Sequence, residues 1–279
     1  MTSGLRIGLA LCSLAIAIAT AAQETPAKHA RVELLSRQSA VAAGSEIELG
    51  VHFKLDPGWH IYWVNPGDSG QPPAFKWKLP AGFTADEIQW PRPERIQTNP
   101  QIADYGYHGD VLLIVPIHVP QVTNADSDKQ GKLQFAAEAK WLICREVCIP
   151  EHAQLGIALP LSAKAKEDPS AAKLFAETRR LLPTPLPRGW NVSARSTHDD
   201  FVLAIAAGKR ILKAEFFPLD PGQIDNSAPQ KIQPTPTGAK ITLKRSDILL
   251  KPITVLRGVL VIAGGPAYRI EAPVRQPIQ

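Results

Sequence analysis

The sequence predicts an all-β protein built as two sandwich domains joined by a short helix and a proline-rich linker. Three observations carry this. Short runs alternate apolar and polar side chains, the period that buries one face of a strand. Turn signals recur between them: Ala43-Gly44, Asp56-Pro57-Gly58, Asn65-Pro66-Gly67, Pro80-Ala81-Gly82 and Tyr107-His108-Gly109. Proline accounts for 26 of 279 residues, well above the usual share of about 5%, and proline is expelled from helix interiors. Many short strands with frequent turns point to an immunoglobulin-like architecture.

Residues 1–22 are set apart as a signal peptide. Arg6 precedes an apolar run from Ile7 to Ala19, and Ala19-Thr20-Ala21 fits a small-residue cleavage site. The run falls short of the ~20 residues of a spanning helix. No later apolar stretch is longer than a strand, so no membrane span is expected after signal removal. The mature chain is expected in the periplasm.

The first β domain is placed at 30–162. Arg31–Leu35, Glu46–Phe53, Leu133–Trp141 and Ala153–Leu159 are expected strands. Val111–Val119 contains Pro116 and is expected as two strand pieces or an edge strand. A helix and linker are placed at 163–187. Asp168 is suited to cap the helix and Pro169 to open it. Leu174, Phe175, Leu181 and Leu182 are expected on its buried face, and Pro183, Pro185 and Pro187 follow as a semi-rigid spacer. A smaller β domain is placed at 188–279, with strands at Phe201–Ala206, Ile211–Phe217, Lys240–Leu243 and Gly258–Ala263. It has no cysteine and only His198 among histidines, so a structural or partner-binding role is expected.

The net charge is +5 and spread along the chain. No basic stripe marks a nucleic-acid partner. Of 3 cysteines, Cys12 would leave with the signal peptide. Cys144 and Cys148 remain, separated by Arg145, Glu146 and Val147. Two close cysteines in an oxidising compartment pair. A staple across so short a loop restricts the unfolded chain by only ~2 kcal/mol, against ~4.7 for a 100-residue loop. A local pair can instead open and close without unfolding its domain. Three uses stay open: a redox dithiol, a structural staple, or soft-metal ligation with a nearby histidine, for which Cu(I) is the suited ion. Arg145 would favour a thiolate at Cys144, and Glu146 would oppose it. Around the pair, Trp59, His60, Asp68, Tyr105 and Tyr107 are candidate supporting residues, within an aromatic set that includes Trp77, Trp90 and Trp141. The rings fill the core or wall in the disulfide. His60 and His108 are expected as hydrogen-bonded structural histidines, and no resident metal or cofactor is assigned.

Four blocks then occur in order: DPGWHIYWVNPGDSGQPPAFKWKLPAGF, IQWPRPER, DYGYHGDVLLIVPIHVP and KWLICREVCIP. From about Val32 to Leu159 the chain resembles the N-terminal periplasmic domain of the DsbD disulfide reductase family, closest to its ScsB-type branch. The resemblance implies an immunoglobulin-like fold and an oxidoreductase-type electron relay. It implies that Cys144 and Cys148 are the shuttling pair, serving periplasmic thiol and disulfide proteins. It also suggests a loop capping the cysteines, for which 65–72 is the candidate, and a link to copper tolerance. The family continues into a membrane electron importer and a thioredoxin-like domain. This sequence stops at Gln279, so a separate importer is the expected electron source.

Overall fold

The computed structural model describes residues 25–121, 131–262 and 265–276. The signal peptide and Cys12 lie outside the described residues. The architecture is two β-sandwiches, with one α-helix among the described residues.

In the first sandwich, one sheet orders Thr25–Ala27, Ala30–Ser36, Glu46–Leu55, Asp110–His118 and Thr84–Ala85 side by side. The facing sheet orders Cys148–Pro160, Lys132–Cys144, His60–Gly67, Ile102–His108 and Glu94–Asn99, with Ala74–Lys78 paired beside Lys132–Cys144. Val32, Leu34, Leu49, Val51, Phe53, Leu113 and Val115 meet Ile61, Trp63, Phe135, Trp141 and Leu155 in one core. Removing such side chains from water at about 25 cal/mol per Å² is the main force holding the two sheets together.

Two turn and edge expectations are corrected. Asp110–His118 is one unbroken strand despite Pro116. On one side it pairs with Glu46–Leu55 over its whole length; on the other it meets two-residue Thr84–Ala85 and a single bridge from Gln89 to Ile114. The missing N–H therefore falls close to the sheet edge, and the Pro116 carbonyl still accepts from Asp86 N at 2.9 Å. Asn65-Pro66-Gly67 is not a reversing turn. It lies at the end of the His60–Gly67 strand, where the register shifts between Tyr62 and Gly67 as a bulge.

The helix spans Pro169–Leu181, with the Asp168 side chain accepting from Ser170 N at 2.9 Å and Pro169 in its first turn. Its buried face differs from the expected one. Ala171, Phe175 and Thr178 are buried, whereas Leu181 is exposed. The reason is packing: the helix lies on the outer face of the first sandwich, where Ala171 and Phe175 cluster with Leu112 and Ile114. Gly50 makes room for it, since a Cβ there would stand 2.5 Å from Leu112 Cδ1 and 3.1 Å from Phe175 Cζ. The helix is thus a third layer of the first sandwich and not a spacer. The proline segment is tied to the other sandwich, where Thr184 and Pro185 pair in parallel with Tyr268 and Arg269 of the Ala267–Arg275 strand.

The second sandwich is one sheet folded over itself, in the order Ala214–Pro218, Val255–Ile262, Ala267–Arg275, Asn191–Ser196, Asp200–Ala206, Gly238–Lys244 and Lys231–Thr235. The expected strand at Ile211–Phe217 is shorter, because Ile211 leaves the ladder to donate its N–H to Gly238 O. Leu203, Ile241, Phe216, Leu256 and Ile270 form its core. The two sandwiches are not independent: Phe217, Val259 and Ala267 pack into the first core. Phe217 stacks edge-on against Tyr105 at 5.2 Å and Trp63 at 6.4 Å.

Candidate functional site

The Lys132–Cys144 and Cys148–Pro160 strands form an antiparallel hairpin in continuous register from Lys132↔Pro160 to Cys144↔Cys148. Arg145, Glu146 and Val147 make its tip. The cysteines are the last pair before the turn, and their sulfurs are bonded at 2.04 Å. Cys144 is buried, at 2% exposure, and Cys148 is exposed. The two sulfurs of one bond therefore face different surroundings.

Cys144 also pairs with His60 on the neighbouring strand. Strand alternation puts Ile61 and Trp63 into the core and turns His60 and Tyr62 to the opposite face, where the cysteines lie. The Tyr62 hydroxyl donates to Cys144 Sγ at 2.9 Å and lies 3.4 Å from Cys148 Sγ. Burial raises the Tyr62 phenol above its usual value, and Asp104 adds to this while Ser69 opposes it. The phenol keeps its proton at neutral pH and remains a donor. Tyr62 is a residue the sequence reasoning missed.

A loop closes over this tyrosine. Gly70 has φ +78°, and a Cβ on it would stand 2.1 Å from Tyr62 Cζ. Only glycine lets backbone lie against the hydroxyl end of the ring. Ser69 fixes the loop: its N and Oγ each donate to Asp104 Oδ1 at 2.9 Å. Burial pushes the Asp104 carboxyl up, and the Ser69 bonds hold it down in part.

The sequence-derived candidates separate into two groups. Arg145, Trp59 and His60 adjoin the disulfide hairpin. Arg145 stands over the Trp59 ring at 5.3 Å, and Trp59 stacks on His29 at 3.8 Å. Arg145 also lies 3.8 Å from Glu146. Asp68 and Tyr105 face the second sandwich. Asp68 accepts from Ala103 N and from Asn226 Nδ2, both at 2.8 Å, and Tyr105 OH donates to Asn226 Oδ1 at 2.9 Å. Tyr107 donates to Pro91 O at 2.8 Å. Burial raises both phenols. Among the described residues, no three His, Cys, Asp or Glu side chains form a metal-holding group.

His60 departs from the hydrogen-bonded histidine expected at one ring nitrogen: its Nε2 is buried without a partner. Burial, and then His108 nearby, lower its pKa to about 4. The unfolded chain takes up this proton near 6.5, so stability from neutral His60 is full above that pH and declines as pH falls towards 4. Urea unfolding at about pH 7 and about pH 4.5 should differ by up to about 2 kcal/mol on account of this group, allowing for partial solvent screening. His60→Gln should shrink that difference; an equal difference in the variant would assign it elsewhere.

Residues 31–159 match the family described as "Thiol:disulfide interchange protein DsbD, N-terminal". This part of the chain is a DsbD N-terminal domain. Among solved structures, the N-terminal periplasmic domain of ScsB from Proteus mirabilis superposes with a TM-score of 0.68 at 17% identity, covering 92% of this chain and 98% of that one. The likeness is one of fold, and it runs through both sandwiches, beyond the DsbD-type domain. A protein of unknown function from Porphyromonas gingivalis W83 covers 88% of this chain and 99% of its own at 10% identity, with a TM-score of only 0.26. No curated protein matches the chain. Within the DsbD-type domain the disulfide hairpin lies at its C-terminal end, and Tyr62 and the Gly70 loop come from its first aromatic block.

Proposed function

We propose that this protein exchanges thiols and disulfides with partner proteins in the periplasm, through Cys144 and Cys148. The observation that carries the reading is the asymmetric sulfur pair: Cys148 exposed at a hairpin tip, Cys144 buried beneath the Tyr62 hydroxyl. The DsbD N-terminal family and the export-type leader support it.

In the reduced protein the Cys148 thiolate attacks one sulfur of a partner disulfide. A mixed disulfide forms, and the partner's other sulfur leaves as a thiolate. Cys144 then loses its proton and attacks Cys148 Sγ, which releases the partner's second thiolate and restores the Cys144–Cys148 bond. Two electrons pass to the partner, which takes up two protons. Tyr62 supplies a hydrogen bond to Cys144 while that sulfur bears negative charge. Val147, 63% exposed beside Cys148, offers an apolar contact to a docking partner.

A glutathione redox titration of the full chain tests this. The pair should interconvert at a potential above about −300 mV, the region below which resistant structural disulfides lie, with the far-UV spectrum unchanged. A bond that yields only under denaturant would make it a staple.

A further inference from the structure

We propose that the second sandwich holds the loop over the disulfide, with Asn226 as the positioning residue. The inference rests on reading Cys144–Cys148 as the exchanging pair.

Asn226 follows the Ala214–Pro218 strand and is 7% exposed. Both partners of its side chain belong to the first sandwich. Nδ2 donates to Asp68 Oδ1 at 2.8 Å, and Oδ1 accepts from Tyr105 OH at 2.9 Å. Its own carbonyl accepts from the Arg95 guanidinium at 2.6 Å. Three residues before Asp68, Asn65 Nδ2 donates to Pro218 O at 2.7 Å. The stretch from Asn65 to Asp68 is therefore fastened to the second sandwich at both ends.

From Asp68 the line continues without a break. Ser69 grips Asp104, Gly70 lies on the Tyr62 ring, and the Tyr62 hydroxyl touches both sulfurs. Tyr62 is 0% exposed and Cys144 2%, although they sit next to an open hairpin tip. Tyr62 itself is held by its strand, paired with Gly106. The loop is what covers it: Ser69 ties the loop to Asp104 within the first sandwich, and Asn226 ties its Asp68 end to the second. A second sandwich without chemistry of its own thereby governs access to the buried sulfur.

The test uses the full chain carrying Cys148→Ser, with iodoacetamide as the probe of the lone Cys144 thiol. Asn226→Asp sets a carboxylate against Asp68 and breaks the fastening. The double change Asp68→Asn with Asn226→Asp restores it: Asn at 68 accepts from Ala103 N and donates to Asp at 226, which still accepts from Tyr105. In that background, alkylation with Asn226→Asp should be roughly tenfold faster than without it, and the double change should return to within about twofold. Arg257→Ala, which removes an ion pair to Asp220 within the second sandwich, should leave the rate unchanged. If Asn226→Asp does not fold, Asn226→Ala breaks the same bond without adding charge.

This readout contains no thiol–disulfide exchange step. It therefore separates a failure of this inference from a failure of the exchange reading. Equal rates in parent and single variant, or a double variant that stays fast, would overturn the fastening role.

Discussion

Cys144→Ser should accumulate a mixed disulfide with partner proteins through Cys148, whereas Cys148→Ser should accumulate almost none. Both variants should lose catalytic exchange entirely, because each removes one of the two sulfurs that the complete cycle requires. The asymmetry follows from burial. Cys148 is exposed and reachable by a folded partner. Cys144 is 2% exposed and lies under Tyr62, so it meets Cys148 but not an incoming protein disulfide. With Cys144 absent, nothing resolves the intermediate that Cys148 forms. Non-reducing electrophoresis of extracts expressing each variant reads the difference directly. Equal trapping by both variants, or trapping by Cys148→Ser alone, would reverse the assignment of roles.

The second large effect is expected from Tyr62→Phe. The ring volume stays, so the core and the Gly70 contact persist, and only the hydroxyl at 2.9 Å from Cys144 Sγ is lost. A buried thiol resists ionisation, and one hydrogen bond to a charged sulfur offsets that by about a pKa unit. Resolution of the mixed disulfide should slow by roughly tenfold at about pH 7. The deficit should close as pH rises through the thiol's own pKa, where ionisation no longer needs the phenol. Stopped-flow rates across roughly pH 6 to 10 measure this, with about a tenfold gap at the acid end. A gap constant with pH would mean that the hydroxyl acts on the sulfurs in some other way.

Much of the arrangement was legible in local sequence. The Asp168 cap, the Pro169 start and the strand alternation depend on near neighbours, and they hold. Cys144 and Cys148 are close enough along the chain for their pairing to be foreseen. Tyr62 was not, although the alternation of His60-Ile61-Tyr62-Trp63 places it on the face opposite the core. What was missing is the pairing of His60 with Cys144, a contact between residues far apart in the chain. Asp68 and Tyr105 sit in suggestive motifs, yet both bond to Asn226, which lies in an irregular segment with no periodicity to mark it. Phe175 is buried as its spacing predicts, but the exposure of Leu181 was not legible, because Gly50 and Leu112, on two other strands, shape the seat that the helix occupies.

The cysteine bond is the outermost rung of a ladder between two 13-residue strands. Breaking that rung leaves every inner one in place. On the proposed reading, oxidation state would change with little mechanical work, which would suit a courier that must hand over its cargo and return unaltered, and ill suit a sensor that must announce it by changing shape.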